Sequence, residues 1–161
     1  HEFGDRYTFA ELCKEAEETD YITSRIDVNN KCFLAPENMT EAIKSYCNNN
    51  DLIIPDTAGE IAAVVYKSLA DSYADTVMQI EKNLDITYDA IYVIGGGANA
   101  GYLNQLTADS TGKTVVAGPA EATAIGNIMA QMIADSVFKN LKEARACVRD
   151  SFDIKRFEQK R

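Results

Sequence analysis

The sequence has 161 residues, of which 46% are hydrophobic and 25% are charged, and its net charge is −9. This composition is typical of a globular chain with a buried core, and a strongly acidic chain is a poor partner for nucleic acid or for an anionic membrane surface. No apolar run approaches the roughly 20 residues of a membrane-spanning helix, and no signal-peptide pattern is present. We therefore expect neither a nucleic-acid partner nor a membrane partner.

The cysteines and the histidine bear on metal binding and on the cellular compartment. The four cysteines are far apart and the one histidine is His1, so no zinc-site spacing is present. We expect free thiols, a cytoplasmic location and no metal site within this chain. The sequence opens on "HEFGDRYTF" without a methionine, which indicates a piece of a longer protein.

The first part of the chain predicts two short helices. Thr8 and Glu11 have the spacing of a capping box at the start of "TFAELCKEAEE". Residues 25–28 predict a short strand or an extended segment. Pro36 predicts the start of the second helix, which we expect to end in the asparagines at 48–50.

A long amphipathic helix is the strongest local prediction. Thr57 and Glu60 form a second capping-box pattern, and the helix is expected to run to Leu84. One face is apolar at intervals of three and four and is predicted to be core: Ile61, Val64, Val65, Leu69, Tyr73, Val77, Ile80 and Leu84. The other face is predicted to be solvated: Glu60, Lys67, Asp71, Asp75 and Lys82.

The rest of the chain alternates strands and helices. Residues 91–94 predict a buried strand, "KTVVAG" predicts a second buried strand, and the helix between them is expected to stop at Gly112. Further helices are predicted over 120–138 and 140–152, followed by a polar tail. A strand, a helix and a strand in this order predict a parallel pair with a right-handed crossover, so the fold class is α/β.

Three consecutive glycines, Gly95, Gly96 and Gly97, lie where the first strand meets the following helix. Free N–H groups and the helix dipole favour a nucleotide or anion there, and glycine lets a ligand approach the backbone. The spacing Gly95-x-Gly97-x-x-Ala100 also fits a dinucleotide fingerprint, but the second strand lacks the acidic residue that holds a ribose. A tight turn without a ligand is the alternative, so the segment is a candidate nucleotide site.

The segment "IYVIGGGANAGYLNQLTADSTGKTVVAGPAEATAIGNIMAQ" resembles the C-terminal ATP-binding region of the FGGY carbohydrate kinases. "IDVNNKCFLAPENMTEAIKSYC" and "ARACVRDSFDIKRFEQ" resemble flanking parts of the same family, so the resemblance covers essentially the whole chain. Within the family the sequence is most similar to the branch that phosphorylates L-rhamnulose.

The resemblance implies a partial RNase H-like domain, of the superfamily that also holds actin and the heat-shock chaperones. Residues 1–161 would be the C-terminal part of the ATP-binding domain, without the N-terminal domain that binds the sugar and supplies the catalytic base. The intact enzyme would use ATP and Mg²⁺ and transfer the γ-phosphoryl group to the 1-hydroxyl of a ketose, L-rhamnulose. No catalytic residue and no metal ligand is assigned here, and this chain alone is expected to be inactive.

The resemblance also implies which residues contact the nucleotide. The three glycines match the adenosine-side turn of the family, and Gly96 is the strongest candidate. Ala98 matches a small residue near the purine. Relatives often carry asparagine at the position of Ala100, whereas here Asn99 comes one residue earlier. Asn99 either replaces that amide contact or caps the following helix.

Several neighbouring polar residues are expected to be structural. Asn104 and Gln105 lie on the helix after the turn, and Asp109 is expected at its solvated or capped end. Gly126 lies inside a predicted helix, where close helix-to-strand packing is the usual reason for glycine.

Other functions remain open on the sequence. Another FGGY kinase, acting on xylulose, fuculose or an autoinducer, shares the same motifs. A non-catalytic nucleotide-binding or interaction domain is the alternative of a different class, and the exposed surface of a fragment would favour a dimer. A piece of an NAD-dependent dehydrogenase is disfavoured by the missing ribose acid.

Overall fold

A computed structural model describes residues 7–19 and 21–160. The chain divides into two compact units, residues 1–87 and residues 88–161. Helices build the first unit, and a small mixed sheet with flanking helices builds the second, so the predicted α/β class is confirmed. Within these described ranges, none of the helices has the length and apolar composition needed to cross a membrane.

The first unit contains three helices, α1 (Phe9–Glu18), α2 (Met39–Asn49) and α3 (Ala58–Leu84), and a 3₁₀ turn (Lys31–Phe33). Both predicted capping boxes are present, at the starts of α1 and α3. The predicted start of α2 at Pro36 is wrong. The helix begins at Met39 because the side chain of Asn38 accepts a hydrogen bond from the N–H of Glu41 at 2.9 Å and acts as the cap.

The capping box of α3 extends into a small hydrogen-bond network around Glu60. Its carboxylate accepts from the N–H groups of Thr57 at 3.0 Å and Asp56 at 2.6 Å. It also accepts from the hydroxyl of Tyr21 at 2.7 Å. The Thr57 bond foremost, together with the other two, lowers the pKa of Glu60 below its ordinary value.

The core of the first unit lies between the N-terminal half of α3, α2 and the irregular segment before α2. Its buried members are Ile22, Ile26, Ile43, Cys47, Ile61 and Val64. Helix α1 packs closely on α3 at Gly59, where an added Cβ would lie 2.9 Å from the Cβ of Glu15. All four cysteines are free thiols, as expected.

Of the two alternatives predicted for residues 25–28, a short strand or an extended segment, the strand does not form. The N–H of Ile26 donates to the side-chain oxygen of Ser68 at 3.0 Å, and the hydroxyl of Ser24 donates to the carbonyl of Ile53 at 2.7 Å. A side chain and a loop carbonyl therefore provide hydrogen-bond partners for this segment, and it joins no β-ladder.

The predicted faces of α3 are correct only in part. Lys67, expected in solvent, is 5% exposed, and its ammonium group donates to the carbonyl of Ile22 at 2.9 Å. The apolar stripe is core only along the first half of the helix. Further along, three of its members are exposed by 41%, 43% and 58%: Tyr73, Ile80 and Leu84.

The second unit is built on one sheet with the order β1 (Ala90–Val93), β2 (Thr114–Ala117), β3 (Lys155–Phe157). β1 and β2 are parallel, as predicted, with Ala90 opposite Thr114. The helices are α4 (Gly101–Thr111), α5 (Ala122–Ala134) and α6 (Leu141–Ser151). As predicted, α4 ends at Gly112, which has a φ of +67°. Helix α5 ends earlier than predicted, because Ser136 adopts a φ of +62°.

β1 is not buried on both faces, which corrects the prediction. Tyr92 is 73% exposed and Ile94, just after the strand, is 61% exposed. β1 is an edge strand of the described sheet, whereas the central strand β2 has Val115, Val116 and Ala117 buried. An edge strand needs a second covering layer to bury both faces, and in the described residues β1 has none over Tyr92.

The polar tail predicted after the last helix contains a third strand, β3, which the sequence did not indicate. It pairs with β2 in antiparallel orientation. The residues after it bond to α4 and β2: the amide of Gln105 donates to the carbonyl of Glu158 at 2.8 Å, and the carboxylate of Asp109 accepts from the N–H of Lys160 at 2.7 Å. The hydroxyl of Thr114 donates to the carboxylate of Glu158 at 2.7 Å. Gln105 and Asp109 are structural, as expected, although Asp109 holds the segment after β3 rather than only the helix end.

Candidate functional site

The five candidate residues form one 3₁₀ turn, Gly95–Asn99, between β1 and α4. The turn begins where Gly95 adopts a φ of +77°, a conformation that glycine reaches without strain. Ala100 separates the turn from α4, with a φ of −81° and a ψ of 70°. The abrupt change of direction explains why a strand of β-branched residues is followed at once by glycine.

A second turn lies beside the first because β1 and β2 are parallel and their carboxyl ends meet at one edge. The N–H of Gly118 donates to the carbonyl of Val93 at 2.9 Å, and the N–H of Gly95 donates to the carbonyl of Pro119 at 3.4 Å. The bond between Gly118 and Pro119 is cis. These two hydrogen bonds join the turns at the edge where open α/β sheets bind ligands.

The three glycines differ in how strictly the fold requires glycine at their positions. Gly95 needs its positive φ. At Gly97 an added Cβ would lie 3.4 Å from the side chain of Val93, an ordinary contact. At Gly96 an added Cβ would meet no protein atom within 4 Å, and the residue is exposed. The fold therefore does not require glycine at position 96, and the turn presents bare backbone to the outside there.

Ala98 and Asn99 differ in burial. Ala98 is buried, with 7% of its surface exposed, whereas Asn99 is exposed. Capping of α4 by Asn99 is wrong, because the residue at the cap position is Ala100 and no side chain makes a capping hydrogen bond. The amide contact of Asn99 with a nucleotide stays a prediction.

The turn is held from inside by Asn104, which confirms a structural role for this residue. Its side chain is 3% exposed, and its amide nitrogen donates to the carbonyls of Gly97 at 3.3 Å and Ala98 at 3.2 Å. The sequence places Asn104 on the helix but does not indicate these partners. A polar residue among apolar ones at helix spacing is the signal that could have found it.

The described part of the chain offers little for metal chemistry. No group of three histidine, cysteine, aspartate or glutamate side chains converges in residues 7–19 and 21–160. Glu121 occupies the cap position of α5, and its side chain makes no capping hydrogen bond. The turns at the strand ends present backbone groups, in particular at the exposed Gly96.

An open groove of about 860 Å³ lies beside the turns of the second unit. Ile94 and Pro119 line it next to the turns, and most of its wall comes from apolar residues of α5 and α6. Arg145 and Arg149 also line it. Gly126, on α5, faces open space, with no atom within 4 Å of an added Cβ, so the close packing expected of it is wrong.

Comparison with known proteins adds to this geometry. The family model described as "FGGY family of carbohydrate kinases, C-terminal domain" matches residues 4–134. Among curated relatives, the rhamnulokinase of Bacillus subtilis (strain 168) is 47% identical over 96% of this chain and 32% of its own length. Rhamnulokinases of Oceanobacillus iheyensis and Lactiplantibacillus plantarum are 45% and 39% identical over 94% and 98% of this chain, each across 32% of its own length. The chain spans about a third of the length of the relatives it matches.

Proposed function

Because this chain belongs to the FGGY family of carbohydrate kinases, we propose that it is the C-terminal part of the nucleotide-binding domain of an ATP-dependent sugar kinase. In this proposal the turn Gly95–Asn99 is the surface against which the adenosine of ATP lies. The open face at Gly96 supports the proposal most directly, since a ligand can approach the backbone there without displacing any protein atom. We further propose that the sheet of the second unit belongs to an RNase H-like domain.

The chain's own groups would bind and orient the nucleotide. Phosphoryl transfer depends on positioning and on charge neutralisation, and ATP supplies the phosphoryl group. The turn lies at the N-terminus of α4, toward which the first backbone N–H groups and the positive end of the helix dipole point, and no side chain caps this end. We assign the ligands of Mg²⁺ and the catalytic base to no residue here, and this chain alone is expected to be inactive.

For the intact protein we propose transfer to the 1-hydroxyl of L-rhamnulose. This proposal is supported by relatives that are 36–47% identical to this chain and are named rhamnulokinase. The test is the kcat/KM of the full-length protein on L-rhamnulose, xylulose and fuculose. A clear preference for L-rhamnulose is expected. A preference for another ketose would assign the protein to a different branch of the family.

The exposed apolar residues on the second half of α3 favour one alternative, a non-catalytic interaction domain or a dimer. Sedimentation of the chain over a range of concentrations tests this alternative. Concentration-dependent association together with absent ATP binding would favour it over the kinase.

A titration with Mg·ATP followed by NMR tests the nucleotide site on this chain. We expect the amide signals of the turn to shift, and Gly96→Val to weaken binding at least about tenfold by filling the open face. Gly126→Val is the matched control, because an added Cβ at Gly126 also meets no protein atom within 4 Å and the residue lies outside the turn.

The outcomes separate the hypotheses. Binding that survives Gly96→Val, or that is lost equally in Gly126→Val, would contradict adenosine at the turn. Titration with NADH distinguishes a kinase site from a dinucleotide site, since only ATP is expected to shift the turn signals. If ATP binding is absent even when this chain is part of the full-length protein, the kinase proposal is refuted.

A further inference from the structure

The buried amide of Asn104 is unusual among the polar groups of the second unit. Two buried polar side chains are present in its described residues, Asn104 and Thr107, each 3% exposed. The hydroxyl of Thr107 donates to the carbonyl of Leu103 within α4. Asn104 instead reaches out of the helix, to two consecutive carbonyls of the turn at 3.3 and 3.2 Å. Its burial is thus tied to the shape of the turn rather than to the helix.

The turn is rich in glycine and has no side-chain cap. Three of its residues are glycines, which lose the most conformational freedom when a backbone is ordered. Neither the turn nor α4 has a side-chain cap. At its two ends, backbone bonds run from the N–H of Ala100 to the carbonyl of Gly97 at 3.1 Å and from the N–H of Gly95 to the carbonyl of Pro119 at 3.4 Å. Asn104 supplies side-chain hydrogen bonds to the carbonyls of Gly97 and Ala98.

The chemistry at this position is directional. Two carbonyl oxygens face the side chain, so a group with two donor hydrogens fits, and the amide nitrogen of asparagine has two. A carboxylate has the same shape but only acceptors, and it would face two further acceptors. Asn104→Asp therefore reverses the interaction with almost no change in volume.

We propose that Asn104 is a positioning residue for nucleotide binding. Its amide locks the peptide planes after Gly97 and Ala98 and so fixes the bare backbone at Gly96 in the orientation that the ligand meets. The inference rests on the proposed nucleotide role of the turn. Asn104 acts from the buried side and touches no ligand.

The test compares Asn104→Asp with Thr107→Val, a buried polar-to-apolar change three residues further along the same helix. Two quantities are measured on each chain: NMR relaxation of the turn amides without ligand, and the dissociation constant for Mg·ATP. We expect Asn104→Asp to make the amides of Gly96–Asn99 mobile and to weaken ATP binding about tenfold, while the β2 amides stay protected from hydrogen exchange. Thr107→Val should change neither quantity.

Asn104→Ser, which retains a single donor, is expected to fall between the wild type and Asn104→Asp, and it serves as the test if the aspartate variant does not fold. A turn that stays ordered in these variants would overturn the inference, and so would a mobile turn that binds ATP as tightly as the wild type. Absence of Mg·ATP binding both in this wild-type chain and in the full-length protein would refute the proposed function first, and this inference with it.

Discussion

Gly118 occupies a backbone position that favours glycine strongly. Its φ is +119°, and an added Cβ would lie 2.9 Å from the carbonyl oxygen of Asp153, a backbone atom that must move. A sparsely populated backbone conformation costs about 1–3 kcal/mol, and overpacking adds about 1–3 kcal/mol. We therefore expect Gly118→Ala to lower the unfolding free energy of the second unit by about 2–6 kcal/mol.

Two further alanine substitutions provide a graded comparison within the same unit. Gly112 has a φ of +67°, but the nearest atom to its added Cβ is the side-chain oxygen of Gln159 at 3.7 Å. Gly112→Ala should thus cost only the left-handed conformation, about 1–2 kcal/mol. Gly126 lies inside α5, and a Cβ added there would meet no protein atom within 4 Å. Gly126→Ala should therefore stabilise the unit by up to about 1 kcal/mol.

Native-state hydrogen exchange of the β2 amides measures these differences, because β2 is the central buried strand and its amides report opening of the unit. The expected order of stability is Gly126→Ala, wild type, Gly112→Ala and Gly118→Ala. A cost for Gly118→Ala no greater than that for Gly112→Ala would refute the close contact between Gly118 and Asp153.

Two more predictions concern the first unit. Ser68→Ala should cost about 1–3 kcal/mol in a denaturant titration, since the N–H of Ile26 loses its acceptor, whereas Thr76→Ala, which removes an exposed bond within α3, should cost less than about 0.5 kcal/mol; equal losses would contradict the reasoning. The pKa of Glu60 is lowered in the folded chain, so its stabilisation is present above the ordinary value of 4.5 and is lost as the pH falls through the folded-state value. Thermal melting between neutral pH and about pH 3 should therefore show a smaller acid loss for Glu60→Gln, and partly for Tyr21→Phe, and unchanged pH profiles would contradict this role.

The helix starts at Thr8 and Thr57 could be predicted because a capping box is complete within four residues. The end of α4 at Gly112 could be predicted for the same reason, since a left-handed residue stops the helix locally. The parallel pair also followed from local hydrophobic runs. For the helix ends, the interaction that decides the structure lies within the segment that shows the pattern, whereas the parallel pair follows from the order of strand, helix and strand.

β3 and the irregular segment around Ile26 could not be predicted because distant partners decide them. β3 exists through its pairing with β2, some forty residues earlier in the chain. Ile26 avoids a strand because Ser68 takes its N–H. The burial of Lys67 has the same origin, since its partner is the carbonyl of Ile22, and periodicity alone assigns a lysine to solvent.

The place of the candidate site could be predicted, but its internal organisation could not. Consecutive glycines between a strand and a helix mark the turn in the sequence. The separate reasons for Gly95 and Gly96 depend on the backbone angle and on the space around each residue. The role of Asn104 depends on how the turn folds back over α4, which no spacing rule describes.

The hydrogen bonds between the irregular segment that contains Ile22 and Ile26 and helix α3 have a consequence for comparing homologous sequences. Lys67 and Ser68 bind the backbone of Ile22 and Ile26, not their side chains. As far as these bonds are concerned, any residue fits at position 22, and any residue except proline, which lacks the N–H, fits at position 26. Methods that infer contacts from correlated substitutions would therefore receive no signal from these two bonds, although they hold two segments more than forty residues apart.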